Sequence, residues 1–93
     1  MAPPPWLVYV VRCADGTLYT GITNNLERRL QSHNAGRASR YTRSRLPVRV
    51  VYSEPAGSRG KALRREFVIK ALSRTAKVKL IRSRPSRTRQ SAE

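Results

Sequence analysis

The sequence predicts a small α/β sandwich, in which helices flank a central three-stranded antiparallel sheet. Three observations predict this class. Short segments rich in valine and aromatic residues alternate with turn residues, as strands do. Two longer segments carry apolar residues at helical spacing. These elements follow one another as β-β-α-β-α-α within 93 residues and without an internal repeat, so we expect a single domain with one modest core.

The first two strands are expected to form a hairpin. Trp6 to Arg12 follows prolines, which cannot donate to a strand ladder, and is rich in valine and aromatic residues. Thr17 to Ile22 is the returning strand. The intervening Ala14-Asp15-Gly16 predicts the turn, because an Asp-Gly pair tolerates the positive φ of tight hairpins.

The length of the hairpin loop decides which side chains share a face of the sheet. A two-residue loop, Asp15-Gly16, would place Tyr9 and Tyr19 on opposite faces. A three-residue loop with Gly16 in the left-handed conformation places both phenols on one face. We predict the three-residue loop, because a site that uses both phenols requires it.

A helix is predicted after the hairpin. Thr23 or Asn24 caps its N-terminus, and Glu27 lies three residues after Asn24, as in a capping box. Gly36 is expected to end this helix as its C-terminal cap.

The remaining elements follow in order. They are a loop from Arg37 to Pro47, a strand from Val48 to Ser53, a helix from Ser58 or Gly60 through Leu72, and a shorter helix from Ala76 to Ile81. We expect residues 1–82 to form the folded domain. In residues 83–93 a proline and alternating Arg, Ser and Thr predict a basic, flexible tail.

Charge is the most unusual bulk property of the chain. Twenty Lys and Arg against five Asp and Glu give a net charge of +15, which requires an anionic partner and favours nucleic acid. An anionic membrane is the competing partner, but no segment reaches the roughly 20 apolar residues of a transmembrane span. The loop is expected to contact phosphates through Arg37, Arg40, Arg43 and Arg45, with Tyr41 stacking on a base. The alternative is that these charges only make the surface soluble.

The cysteine content excludes two further classes. Cys13 is the only cysteine, so neither an intrachain disulfide nor a cysteine-based zinc module can form. The N-terminus lacks the basic and apolar regions of a secretion signal, and we therefore expect a cytoplasmic protein.

One face of the first helix carries groups suited to phosphate chemistry. Leu26, Arg29, Leu30 and His33 are spaced i, i+3, i+4 and i+7. Because the leucines must dock on the sheet, Arg29 and His33 are carried to the same buried edge. A snorkelling arginine and a half-buried histidine at a helix end form the alternative interpretation, and the two strand tyrosines favour a site.

The second helix places a carboxylate where a core residue is expected. Ala62, Leu63, Phe67 and Ile69 form one apolar arc, and Glu66 falls within it. A carboxylate there is costly unless it meets a cation, a donor network or a metal. The alternative is an i,i+4 pair between Glu66 and Lys70 on a wet face.

These motifs together resemble the GIY-YIG nuclease family, and most closely its short single-domain bacterial branch. Val8-Tyr9-Val10 and Tyr19-Thr20-Gly21 stand where the family has its two name motifs, although the glycine and isoleucine of the first are absent and Thr20 replaces the second isoleucine. The stretch from Leu26 to Asn34 is similar to the family's helix motif, with Arg29 on the catalytic arginine. Glu66 falls on the metal-binding glutamate. The resemblance covers roughly Trp6 to Ile81.

The resemblance implies a metal-dependent endonuclease that hydrolyses phosphodiester bonds, in DNA in preference to RNA, and that acts in DNA repair or recombination. It implies one Mg²⁺ or Mn²⁺ held by Glu66, with either Tyr9 or His33 as general base. The implied catalytic residues are Tyr9, Tyr19, Arg29, His33 and Glu66, and the implied nucleic-acid contacts add Lys70 to the loop residues. A non-catalytic module that binds nucleic acid, associated with RNA or ribosomes, and a nuclease subunit that needs a protein partner remain alternatives.

Overall fold

The computed structural model describes residues 4–83, so all but the first residue of the predicted tail lies outside the described residues. The elements are β1 (Trp6–Arg12), β2 (Leu18–Thr23), α1 (Leu26–Asn34), α2 (Arg40–Arg43), β3 (Arg49–Gly57), α3 (Arg59–Lys70) and α4 (Arg74–Ser83). The predicted fold class and order are confirmed. The addition is α2, a one-turn helix in the segment predicted to be a loop.

The three strands form an antiparallel sheet in the order β2-β1-β3, with β1 at its centre. The hairpin has the predicted three-residue loop. The backbone N–H of Cys13 donates to the carbonyl of Thr17 at 2.8 Å, and Gly16 has a φ of 87°. The register pairs Tyr9 with Gly21 and places Tyr9 and Tyr19 on the same face of the sheet.

The sheet divides the apolar interior into two halves. On one face, here called the α3 face, Val8, Val10 and Tyr52 pack against Ala62 and Ile69 of α3. On the opposite face, here called the α1 face, a second set of strand side chains packs against α1: Tyr9, Val11 and Val50 against Leu26 and Leu30. Each helix layer therefore seals its own half of the interior.

The N-terminus of α1 lies one residue later than the sequence indicates. Asn25 is the cap, and its side-chain oxygen accepts a hydrogen bond from the backbone N–H of Arg28 at 3.1 Å. The hydroxyl of Thr23 accepts from the N–H of Asn25 at 3.0 Å, so Thr23 supports the cap and is not the cap itself. Gly36 follows the helix with a φ of 77°, as predicted for the position that terminates it.

The exposed side of α3 differs from the predicted apolar arc. Phe67 is 76% exposed and Leu63 is 39% exposed, whereas the half-buried side chains beside Ala62 and Ile69 are Arg65 and Glu66. Arg65 is turned inward because its guanidinium pairs with Glu54 of β3, with Nε donating to Oε2 at 2.6 Å. The predicted inward position of Glu66 is confirmed, but its neighbours in that face are polar as well as apolar.

Two other elements are longer than predicted. β3 continues through Pro55 to Gly57, which is possible because β3 is an edge strand whose proline needs no partner on its open side. α4 extends by two residues at each end of the predicted segment and packs Leu80 and Ile81 against the α3 face. Among the described helices, none has the length and apolar character needed to cross a membrane.

Candidate active site

The centre of the α1 face is a buried pair of titratable side chains. The hydroxyl of Tyr9, on the central strand, lies 2.8 Å from Nε2 of His33, in the last turn of α1. Both residues are almost fully buried, at 2% and 1% exposure, and their rings meet edge to face. The helix spacing that carries Leu26 and Leu30 onto the sheet therefore also delivers His33 to Tyr9, as predicted.

The other ring nitrogen of His33 contacts α2. Nδ1 lies 2.9 Å from the hydroxyl of Thr42, which is fully buried. The Thr42 hydroxyl in turn donates to the backbone carbonyl of Ser39 at 3.3 Å. A continuous hydrogen-bonded chain thus links the phenol of Tyr9 to the backbone of the α2 turn.

Gly21 on β2 has no side chain, and this leaves room for the Tyr9 ring. Gly21 lies directly opposite Tyr9 in the register, and a Cβ at Gly21 would lie 2.5 Å from the Tyr9 hydroxyl oxygen and 2.7 Å from Cζ. The phenol therefore lies across the backbone of β2 at a position where any larger residue would displace it. This gives the glycine of the second tyrosine motif a steric role.

Tyr19 joins the same cluster from the edge strand. Its ring meets the His33 ring edge to face, with centroids 5.4 Å apart, and stacks on Tyr41 at 6.0 Å. The ammonium of Lys70 lies 6.0 Å from the centroid of the Tyr19 ring. Five of the predicted site residues therefore lie together here: Tyr9, Tyr19, His33, Tyr41 and Lys70.

Glu66 reaches the cluster from the other side of the sheet. Its helix packs on the α3 face, but its carboxylate lies close enough to raise the pKa of Tyr9. The two phenols thus share a face with Arg29, but the expectation that Glu66 shares this face is wrong, because α3 packs on the opposite face. The helix comes near the cluster beside the edge strand β2, where Lys70 lies close to Tyr19. The i,i+4 pair considered as an alternative is also present, with Lys70 Nζ 3.2 Å from Glu66 Oε2.

Electrostatics hold Tyr9 and His33 in their neutral forms. Burial raises the pKa of Tyr9 above its usual value, and the neighbouring Tyr19 adds to that rise, while Arg29 opposes it. Burial lowers the pKa of His33 below its usual value, and the positive charge of Arg29 lowers it further. A neutral imidazole therefore faces a protonated phenol at neutral pH.

Two cavities lie along β2, one toward each of its ends. The larger, of about 480 Å³, lies beside Arg29 and is lined by polar and basic groups that include Thr23, Asn24, Arg28 and Ser32. The smaller, of about 250 Å³, is lined by Leu18, Tyr19, Tyr41, Lys70 and Lys77. Their basic linings suit an anionic chain that runs along the edge strand.

The arginines predicted to contact nucleic acid fall into two groups. Arg37, Arg40 and Arg43 are exposed around α2. Arg45 instead has partners within the protein, since its Nε donates to Asp15 at 3.1 Å and its Nη1 donates to the carbonyl of Tyr41 at 2.8 Å. Its guanidinium also lies 3.9 Å from the centroid of the Tyr41 ring, so both residues already have intramolecular partners.

The donor set for a metal ion is small. Within residues 4–83, no three histidine, cysteine, aspartate or glutamate side chains cluster as ligands. Glu66 offers one carboxylate, with its side chain 18% exposed. A single carboxylate suits an ion such as Mg²⁺ that keeps most of its waters, and it does not suit a fully protein-ligated site.

Two residues, Thr42 and Gly21, shape this site although the sequence predicts no role for either. Thr42 lies in the loop segment that offered no periodicity, and only its place after Ser39, a helix-capping residue type, signals a turn. Gly21 is a motif position to which the sequence assigns no role, because the close approach of Tyr9 depends on strand register.

Fold and site together define the class. Residues 5–79 match the GIY-YIG catalytic domain, and the chain belongs to the GIY-YIG family. This is a nuclease superfamily whose members generally use a divalent metal ion and bind nucleic acid.

Within that family the chain is similar to small proteins designated UPF0213. It is 53% identical over 81 residues to one from Desulfotalea psychrophila, covering 86% of this chain and 74% of that one. It is 49% identical over 77 residues to one from Staphylococcus haemolyticus, covering 83% and 94%. The NMR structure of a UPF0213 protein from Bacillus halodurans matches with a TM-score of 0.57 and 37% identity, over 87% of this chain and 86% of that one.

Proposed function

We propose that this protein is a metal-dependent endonuclease that hydrolyses phosphodiester bonds in nucleic acid, in DNA in preference to RNA. The observation that carries the proposal is the buried 2.8 Å contact between the Tyr9 hydroxyl and His33 Nε2, with Arg29 close enough to influence the pKa of both groups. A base, a proton carrier and a cation are groups that accelerate hydrolysis of a phosphodiester.

The contact between Tyr9 and His33 supports a relay for the proton of the attacking water. A phenol with a raised pKa is a poor base by itself, because almost none of it is ionised at neutral pH. As Tyr9 accepts the proton of the water, its own proton passes to Nε2 of His33, which is neutral and able to receive it. Tyr9 then contacts the water and His33 is the final acceptor, so the two candidate bases act in sequence.

Arg29 and a metal ion held by Glu66 would neutralise the negative charge at the reacting phosphate. Arg29 lines the larger cavity, where its guanidinium can contact the phosphate oxygens. Glu66 would hold one hydrated Mg²⁺ or Mn²⁺, which supplies positive charge for the phosphate and the leaving oxygen. To do so, Glu66 must exchange its ion pair with Lys70 for the metal, and Lys70, itself exposed, is then free to contact the nucleic acid.

The basic surface around α2 is assigned to the flanking phosphates. Arg37, Arg40 and Arg43 are exposed and have the charge to contact the backbone of the strand on either side of the cut. The proposed contacts of Tyr41 and Arg45 require these side chains to leave their mutual stack. We also propose a cytoplasmic location, with which the free, buried Cys13 is compatible, and a role in DNA repair or recombination.

A non-catalytic module that binds nucleic acid is the second candidate, with RNA as its partner. The observation that favours it is the ion pair between Glu66 and Lys70, which occupies the carboxylate that a metal would need. A nuclease subunit that needs a protein partner is also expected to have Glu66 paired with Lys70 before the partner binds. Cleavage assays separate these possibilities from an independent nuclease.

The test is cleavage of labelled duplex, branched, nicked and single-stranded DNA, and of RNA, with Mg²⁺, with Mn²⁺ and with a chelator. We expect wild-type protein to cut DNA only with a divalent ion, and Arg29→Ala and Glu66→Ala each to lose at least about 10²-fold in rate while still binding. Lys61→Ala, on the exposed side of α3, is the control and is expected to cleave normally. Retained binding with no cleavage by any variant, wild type included, would refute an independent nuclease in favour of the binding module or the partner-activated subunit.

A further inference from the structure

The hydroxyl of Thr42 is the side-chain group that extends the buried hydrogen-bonded chain beyond both candidate bases. It lies 2.9 Å from Nδ1 of His33, on the side of the ring away from Tyr9. Thr42 is fully buried, and its position is set by α2, whose cap residue Ser39 accepts hydrogen bonds from the N–H groups of Tyr41 at 3.1 Å and Thr42 at 3.4 Å. A buried threonine hydroxyl held by a one-turn helix against an imidazole has no evident packing purpose that valine would not serve.

The hydrogen-bond donors of this chain distinguish the two tautomers of His33. With the proton on Nδ1, every buried proton has an acceptor: Tyr9 donates to Nε2, Nδ1 donates to Thr42, and Thr42 donates to the Ser39 carbonyl. With the proton on Nε2, that nitrogen donates to the Tyr9 oxygen, and the phenolic proton of Tyr9 must point away from His33, where the hydrogen bonds of residues 4–83 provide no acceptor from the protein. Only the first arrangement pairs every one of these protons within the protein, and it is therefore favoured.

We propose that Thr42 is a positioning residue that holds His33 in the tautomer protonated on Nδ1, which leaves Nε2 free to take the proton of Tyr9. Thr42 touches neither the phosphate nor the water. It acts through His33 in the way that a hydrogen-bonded partner on one ring nitrogen sets the role of the other. The effect of Thr42 on catalysis rests on the proposed nuclease function, whereas the tautomer of His33 is a property of the protein alone.

The test uses the fact that His33 is the only histidine in the chain. Long-range ¹H–¹⁵N correlation spectra of uniformly labelled protein, recorded near pH 8 where the ring is neutral, report which nitrogen carries the proton. We expect Nδ1 to be protonated in the wild type. Thr42→Val should move the proton to Nε2 or give a mixture, Thr42→Ser should restore the wild-type pattern, and Thr20→Val, a buried threonine paired with Val10, should change nothing.

Cleavage by the same variants provides the second readout. We expect Thr42→Val to lower kcat by about 10²-fold with little change in KM, and Thr42→Ser to recover most of it. Wild-type protein protonated on Nε2, or a Thr42→Val protein still protonated on Nδ1, would overturn the proposal. Thr42→Ala replaces the valine variant if that variant does not fold.

The two readouts separate this inference from the proposed function. Wild-type protein with the expected tautomer but no cleavage of any substrate would refute the nuclease and leave the role of Thr42 in the tautomer intact. Cleavage that depends on Arg29 and Glu66, with a tautomer insensitive to Thr42, would refute the role of Thr42 alone.

Discussion

Two buried tyrosines occupy opposite faces of this sheet and have different partners. The Tyr9 hydroxyl meets a neutral imidazole, at a point where Arg29 and Glu66 both influence its pKa. The Tyr52 hydroxyl donates to the carboxylate of Glu54, which is bridged in turn to Arg65. The first arrangement can accept and pass on a proton, whereas the second links a phenol, a carboxylate and a guanidinium across β3 and α3. The difference in chemistry lies entirely in what surrounds each phenol.

The buried state of His33 predicts a pH dependence of stability. Because the pKa of His33 is lower in the folded protein than the unfolded value near 6.5, the unfolded chain binds the proton more readily. The folded state is therefore most favoured above about pH 6.5 and loses stability as the pH falls through the lowered pKa. Urea denaturation between about pH 5 and 8 measures this.

His33→Gln provides the control for that measurement. It removes the titrating ring, so its free energy of unfolding should change less than that of the wild type over the same range. The aspartate and glutamate carboxyls titrate mainly below about pH 5 and contribute little in this window. An equal slope in both proteins would contradict the assignment.

At the scale of elements, the site depends on how closely β2 approaches the Tyr9 ring. Gly21→Ala would place a methyl group 2.5 Å from the Tyr9 hydroxyl oxygen. We expect a loss of about 1–3 kcal/mol in the free energy of unfolding, typical of an overpacked core, together with impaired cleavage as the phenol moves away from His33.

Gly60→Ala is the matched substitution for this prediction. A Cβ at Gly60 meets nothing within 4 Å, and the residue lies in the first turn of α3. Alanine there should be neutral or stabilising by up to about 1 kcal/mol. Urea denaturation of the two variants checks both values, and equal stabilities would show that the contact between Gly21 and Tyr9 is not restrictive.

The sequence was sufficient for elements whose signals are local. The helical spacing of α1 predicted that Arg29 and His33 lie together. The Asp-Gly turn left two loop lengths open, and only the requirement that Tyr9 and Tyr19 share a site selected the three-residue loop. The sequence did not predict which side of α3 is buried, because the spacing of Phe67 is that of a core residue. What turns that helix is the pairing of Arg65 with Glu54, eleven residues earlier, and no local pattern encodes such a pair.

The short helix α2 shows the same limit more sharply. Its four residues contain no aliphatic side chain and therefore no periodicity from which a helix can be predicted. Its role in the site depends on the contact between Thr42 of α2 and His33 of α1, and these two helices are separate in the chain. The residues of the proposed chemistry could be named from motifs, but the contact of Thr42 with His33 could not be predicted.

At the scale of the whole molecule, the net charge of +15 should govern affinity for nucleic acid. Arg40→Gln and Arg43→Gln remove exposed charges and should each lower the slope of log affinity against log salt by about one. Arg45→Gln should lower it less, because the guanidinium of Arg45 is already paired with Asp15. Fluorescence anisotropy over a salt series measures the three slopes, and an Arg45→Gln slope as low as the others would show that this ion pair opens on binding.

The most direct test of the proposed mechanism compares the two buried tyrosines in one experiment. Single-turnover cleavage of labelled DNA is measured for the wild type, Tyr9→Phe and Tyr52→Phe, with the folded state of each variant checked by its amide spectrum. Each change removes one buried hydroxyl, from opposite faces of the same sheet. The proposed relay predicts that Tyr9→Phe lowers the cleavage rate by about 10²- to 10⁴-fold while Tyr52→Phe cleaves nearly as fast as the wild type. A Tyr9→Phe protein that is folded and cleaves at the wild-type rate would contradict it.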